Sequence, residues 1–126
     1  MPALALDTTY DPTDSERRAF TAALTDCYTE EMSTASGHVA VTIREHPHTA
    51  MSLGRAVDGP IAILDADIRR GRSFERRRSF ALSAIGWLTA EWDIPRANLK
   101  VIFTEPEGKQ LLGADRVGGE WSPEET

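Results

Sequence analysis

Residues 61–92 read IAILDADIRRGRSFERRRSFALSAIGWLTAEW: a strand, a basic turn and a helix in direct succession. The strand runs from Ile61 to about Ile68, and its near-continuous apolar start predicts burial on both faces. Asp65 and Asp67 fall on one face of it. Arg69 to Arg72 form the turn that leaves the strand. Ser73 suits an N-cap, and Phe80, Ala84, Trp87, Leu88 and Trp92 fall on one stripe of a helix that Pro95 stops. Leu99–Thr104 follows as a further strand. This is one β-α-β unit, spanning about 60–104.

The first part of the chain repeats the order over about 2–45. Residues 3–10 read as a strand with Leu4 and Leu6 on one side. Asp11-Pro12-Thr13-Asp14 is turn and helix-start chemistry, with Asp14 or Thr13 able to cap and Glu16 well placed in the first turn. Residues 15–32 carry Phe20, Ala23, Leu24, Cys27 and Tyr28 at helical spacing, and 33–37 end the helix. His38–Arg44 is a strand with Val39, Val41 and Ile43 alternating. The stretch 46–59 reads as a loop with room for a short strand at Met51–Leu53. At an offset of 58, Leu6 matches Leu64, Asp7 matches Asp65, Ser15 matches Ser73 and Arg18 matches Arg76, which suggests a duplication. The expectation is α+β: one domain over 1–126, built from duplicated β-α-β units, with an irregular tail 105–126 containing one helical turn. Right-handed crossovers give a four-stranded sheet with both helices on one face. The opposite face then needs a cover, and another subunit is the natural one.

Composition narrows the function. A length of 126 residues suits a single domain, and 40% hydrophobic with 27% charged residues is an ordinary globular balance. The net charge of −6 argues against nucleic acid as a partner. With Cys27 alone, neither an intrachain disulfide nor a four-cysteine zinc site can form. No apolar stretch approaches the ~20 residues a bilayer requires. The opening residues MPALALD lack a basic n-region, so a cytoplasmic location is the expectation.

Against this acidic background, Arg69, Arg70, Arg72, Arg76, Arg77 and Arg78 crowd into ten residues. Guanidinium groups grip carboxylates through paired hydrogen bonds, and the helix start at Ser73 adds N–H donors. Arg69 and Arg72 suit substrate binding by position, whereas Arg76, Arg77 and Arg78 read as a solvated basic face. Pro2 is the second candidate. Once an initiator methionine is trimmed, its nitrogen is a secondary amine, and an α-amino group titrates near ~8, in range for acid–base work. Cys27 reads as core. Tyr28 reads as core too, or as a residue whose hydroxyl reaches a site at a subunit boundary. His46 and His48 show no recognisable metal spacing, so neither metal nor cofactor is called for. Glu105 and Glu107, after the last strand, read as mostly solvated.

Pro2 leading the first strand, LTDCYTEEM, MSLGRAVDG, IRRGRS and VIFTEPEGKQ together resemble the tautomerase superfamily over roughly residues 2–112. The nearest likeness is to cis-3-chloroacrylic acid dehalogenases, then to malonate semialdehyde decarboxylase. The resemblance implies a tautomerase/MIF-like fold, a homotrimer with sites near subunit contacts, and Pro2 as the catalytic amine. It implies Arg69 and Arg72 as the dehalogenase-type pair on the substrate carboxylate, or Arg70 and Arg72 as the decarboxylase-type pair. Tyr28 stands where the dehalogenase has a histidine and Ile102 where it has a tyrosine. Gly113 lies near the position of its water-activating glutamate, and Ser36 and Gly37 lie near that of the decarboxylase aspartate. The implied activity is therefore proton transfer on a small enol, α-keto or unsaturated carboxylate. A decarboxylase-like enzyme and a non-catalytic anion-binding trimer are the alternatives.

Overall fold

The computed structural model describes residues 2–123. Its order is β1 (Ala3–Thr8), α1 (Asp14–Met32), β2 (Ala40–Glu45), β3 (Ala62–Asp67), α2 (Phe74–Trp92) and β4 (Leu99–Thr104), then a two-stranded ribbon of β5 (Leu112–Gly113) and β6 (Arg116–Val117). The main sheet runs β2-β1-β3-β4. Each parallel pair, β1 with β2 and β3 with β4, belongs to one β-α-β unit, and β1 meets β3 antiparallel.

One sheet face carries Leu4, Leu6, Thr8, Ala62, Leu64 and Ala66, all buried. Against it α1 sets Phe20, Leu24, Tyr28 and Met32, and α2 sets Phe80, Ala84, Leu88 and Trp92, each series spaced by four. Aromatic edges knit the layer: Tyr28 meets Phe80 at 5.2 Å and Tyr10 stacks on Trp92 at 4.7 Å.

Among the described residues nothing packs over the other face. It presents Ala3, Ala5, Asp7, Ala40, Thr42, Arg44, Ile63, Asp65 and Asp67, as the strand register requires. Burial of β3 on both faces is therefore not realised within one chain: Ile63 and Asp65 are half-buried and Asp67 is exposed. At the far end of this face, Asp7 bonds His46 at 2.8 Å and Arg44 at 3.1 Å.

Local chemistry explains the helix starts. Thr13 caps α1 in a reciprocal box: its hydroxyl accepts from the Glu16 N–H, and the Glu16 carboxylate accepts from the Thr13 N–H. Replacing Thr13 with alanine is expected to lower stability by about 1 kcal/mol, read as a shift in the urea midpoint at unchanged slope. Ser73 caps α2 through the Arg76 N–H. Thr13 and Ser73, the four buried residues of each helix, and the left-handed C-caps Ser33 and Asp93 all recur at a spacing of 60. The helices thus repeat at 60, not 58, while the strands begin 59 apart. An offset of 58 keeps strand faces aligned, since strand faces alternate with period two, but it pairs Ser73 with Ser15 instead of with the true cap.

No strand forms at Met51–Leu53; a 3₁₀ turn covers His48–Ala50 instead. The buried Asn98 side chain holds the end of this loop, accepting from the Val57 N–H at 2.8 Å and donating to the carbonyls of Val57 at 2.8 Å and Pro60 at 3.0 Å. No helix among the described residues is long and apolar enough to cross a membrane.

Candidate active site

The sheet topology brings the sequence candidates to one edge. Ala3 pairs with Ala40 on one side and with Asp67 on the other, so Pro2, the start of β2 and the arginine turn after β3 share one end of the sheet. Pro2 is buried, and its carbonyl accepts from the Ala40 N–H at 3.1 Å. Met1, whose removal decides the chemistry of the Pro2 nitrogen, lies outside the described residues.

Helix α1 delivers Tyr28 to the same end. Its ring is fully buried and its hydroxyl finds no hydrogen-bond partner among the described residues. Burial pushes the phenol up to about 12, with the Arg72 and Arg69 guanidinium groups opposing that rise. Tyr28 is therefore a neutral donor at any working pH, facing cationic neighbours.

The three turn arginines differ in environment. Arg72 is 6% exposed, its Nε donates to the Met32 carbonyl at 2.8 Å, and its guanidinium carbon lies 5.6 Å from the Tyr28 ring centre and 4.9 Å from that of Trp121. Arg69 is half-buried and bonds the Gly119 carbonyl at 3.2 Å. Arg70 is exposed, with its Nε on the Glu105 carbonyl at 3.0 Å.

Arg76 and Arg77 are not part of a solvated face. Arg76 donates to the Ser33 hydroxyl at 2.9 Å and lies 5.0 Å from the Trp121 ring centre, while Arg77 pairs with Glu105 at 3.2 Å. Both are half-buried because the tail folds back across the start of α2; Arg78 alone of the three is exposed. Glu105, expected to be solvated, is half-buried and paired. Cys27 is half-buried between the helices, and burial raises its thiol pKa, as for a core thiol. No cluster among the described residues has the make-up of a metal site.

Trp121 and the Met32 carbonyl escape sequence reasoning. A tryptophan just beyond Gly118-Gly119 in a polar tail is the one available signal, since so large a ring is rarely left undocked.

No family model matches the chain, and no curated protein matches it. Solved structures do. N1, a member of the cis-3-chloroacrylic acid dehalogenase family, superposes at a TM-score of 0.82 and 19% identity over 94% of this chain and 84% of that one. Malonate semialdehyde decarboxylase gives 0.76 at 20% identity over 90% and 92%. A fused 4-OT described as a symmetric trimer gives 0.79 at 16% identity over 91% and 93%. The expected tautomerase-type fold is thus the fold of this chain.

Proposed function

We propose that this chain is a tautomerase-superfamily enzyme of the cytoplasm that moves a proton within a small enol, α-keto or unsaturated carboxylate. The observation that carries this reading is the convergence of Pro2, the buried Tyr28 hydroxyl and the turn Arg69–Arg72 on one end of the sheet. Arg69 and Arg72 hold the carboxylate, with Arg70 the alternative partner to Arg72, and Tyr28 donates a hydrogen bond to the bound acid. The Pro2 nitrogen takes the enol hydroxyl proton and returns it to the adjacent carbon. The reaction is then an isomerisation in which no atom is gained or lost.

Ketonisation is favoured over hydrolytic chemistry because water addition needs a second base, and Gly113 in β5 offers none. A homotrimer fits the bare sheet face, which one chain leaves uncovered, and a structural neighbour is described as a symmetric trimer. The assay is ultraviolet absorbance during ketonisation of phenylenolpyruvate, on protein whose intact mass shows whether Met1 is present. Mature protein lacking Met1 that gives no rate above buffer rejects the reading.

One observation favours a second reading, a non-catalytic anion-binding trimer. Arg72 already spends its Nε on Met32 and stacks on Trp121, as a structural arginine would. Retained Met1 in protein from the native host decides for it.

A further inference from the structure

Among the described residues the tail after β4 has no regular structure beyond one 3₁₀ turn and the short two-stranded ribbon, yet its tryptophan is 5% exposed. Three contacts anchor Trp121, and two of them fall on the arginine turn itself. Its N–H donates to the Arg70 carbonyl at 2.7 Å, and its indole N–H donates to the Ser33 carbonyl at 3.3 Å. Its own carbonyl lies so near Gly71 that a Cβ there would come within 2.1 Å of it. Gly71 also has a φ of +123°, a backbone conformation open to glycine and strained for other residues.

Between these anchors the indole meets two guanidinium groups at once, Arg72 at 4.9 Å and Arg76 at 5.0 Å. Two cations four residues apart repel; an electron-rich ring shared by both offsets that repulsion out of water. The Arg72 side chain is thus held by a hydrogen bond to α1 and by ring contacts with α1 and the tail.

We propose that Trp121 is a positioning residue: it straps the tail across the arginine turn and sets the plane of the Arg72 guanidinium, and so the geometry in which a carboxylate is gripped. The inference rests on Arg72 being a carboxylate-binding group. Its structural half is testable without activity, because a stacked indole shifts the Arg72 Nε–H resonance through its ring current.

The experiment compares wild type with Trp121→Leu, Trp121→Phe and Gly71→Ala, with the Arg72 Nε–H signal assigned from its loss in Arg72→Lys. Trp121→Leu is expected to move that signal and to raise KM for phenylenolpyruvate by about tenfold, the size of a desolvated cation–π contact, with kcat little changed. Trp121→Phe should restore most of both, since it keeps a six-membered aromatic ring and loses the smaller pyrrole half with its N–H. Gly71→Ala should reproduce the leucine phenotype by displacing the tail, which keeps the test open if Trp121→Leu folds poorly. An unmoved Arg72 signal in both Trp121→Leu and Gly71→Ala overturns the strap. So does a KM that stays at the wild-type value in both. A wild type without turnover whose Arg72 signal still moves in Trp121→Leu overturns the catalytic reading instead and leaves the strap standing.

Discussion

Pro2→Ala is expected to slow phenylenolpyruvate ketonisation by about 100-fold or more at saturating substrate, the range that loss of a positioned acid–base group produces. Alanine at the same place still offers an α-amino group, so the loss measures placement more than basicity. The pyrrolidine ring locks rotation about its N–Cα bond and packs in a buried position, and the Pro2 carbonyl is tied to Ala40, so the ring nitrogen has few orientations open to it. An alanine amine rotates about its terminal bond and must be ordered in each turnover, the cost that proximity otherwise removes. KM should change little, because the arginines proposed to hold the acid are untouched.

The pH profile supplies an independent signature. An α-amino group titrates near ~8 when unperturbed, and nearby guanidinium charge disfavours its protonated form. As a base the amine works only when unprotonated. The rate should therefore fall as pH drops through a value below ~8 and level off above it. Tyr28, pushed up to about 12, stays protonated across that window and adds no second limb before strongly alkaline pH. Equal rates for wild type and Pro2→Ala, or a profile flat from pH 6 to 9, would remove Pro2 from the mechanism.

How far the sequence could be read depended on the range of the interactions involved. Both helices were legible because their determinants are local: a hydroxyl at the N-cap and apolar residues every four positions. The two β-α-β units followed from element order, and the face assignments of Leu4, Leu6 and Val41 from alternation alone. The repeat spacing was misread by two because matching Ser15 to Ser73 compared residue types, whereas the structural counterpart of Ser73 is Thr13, a different residue making the same hydrogen bond. Pro2, Tyr28, Arg69, Arg70 and Arg72 were legible as candidates, and their shared location was implied once β1 and β3 were neighbours. The roles of Arg76 and Arg77 were not legible, since they depend on Trp121 and Glu105, contacts that cross from helix to tail. A glycine-rich tail carries no periodicity from which such docking could be inferred.

Arg72→Lys is the second large effect expected, and it separates the holding of substrate from the holding of the fold. Lysine keeps the charge but loses the planar fork and the Nε–H, so the buried Met32 carbonyl is left without its donor, at a cost of about 1–3 kcal/mol in stability. The same change removes bidentate capture of a carboxylate, and KM should rise by about 30- to 100-fold, the worth of a charged hydrogen bond. Arg69→Lys is the control. Arg69 is half-buried where Arg72 is 6% exposed, and lysine keeps its charge, so stability should fall less than in Arg72→Lys while KM still rises. Arg70→Lys distinguishes the two possible clamps: a rise in KM there with none at Arg69 assigns the carboxylate to Arg70 and Arg72. An Arg72→Lys protein with a lowered melting temperature and wild-type KM would make Arg72 a purely structural residue, gripped by Met32, Tyr28 and Trp121 and turned away from substrate. Because lysine preserves the net charge, general attraction of the anionic substrate is unchanged in all three variants, and a difference among them reports contact geometry.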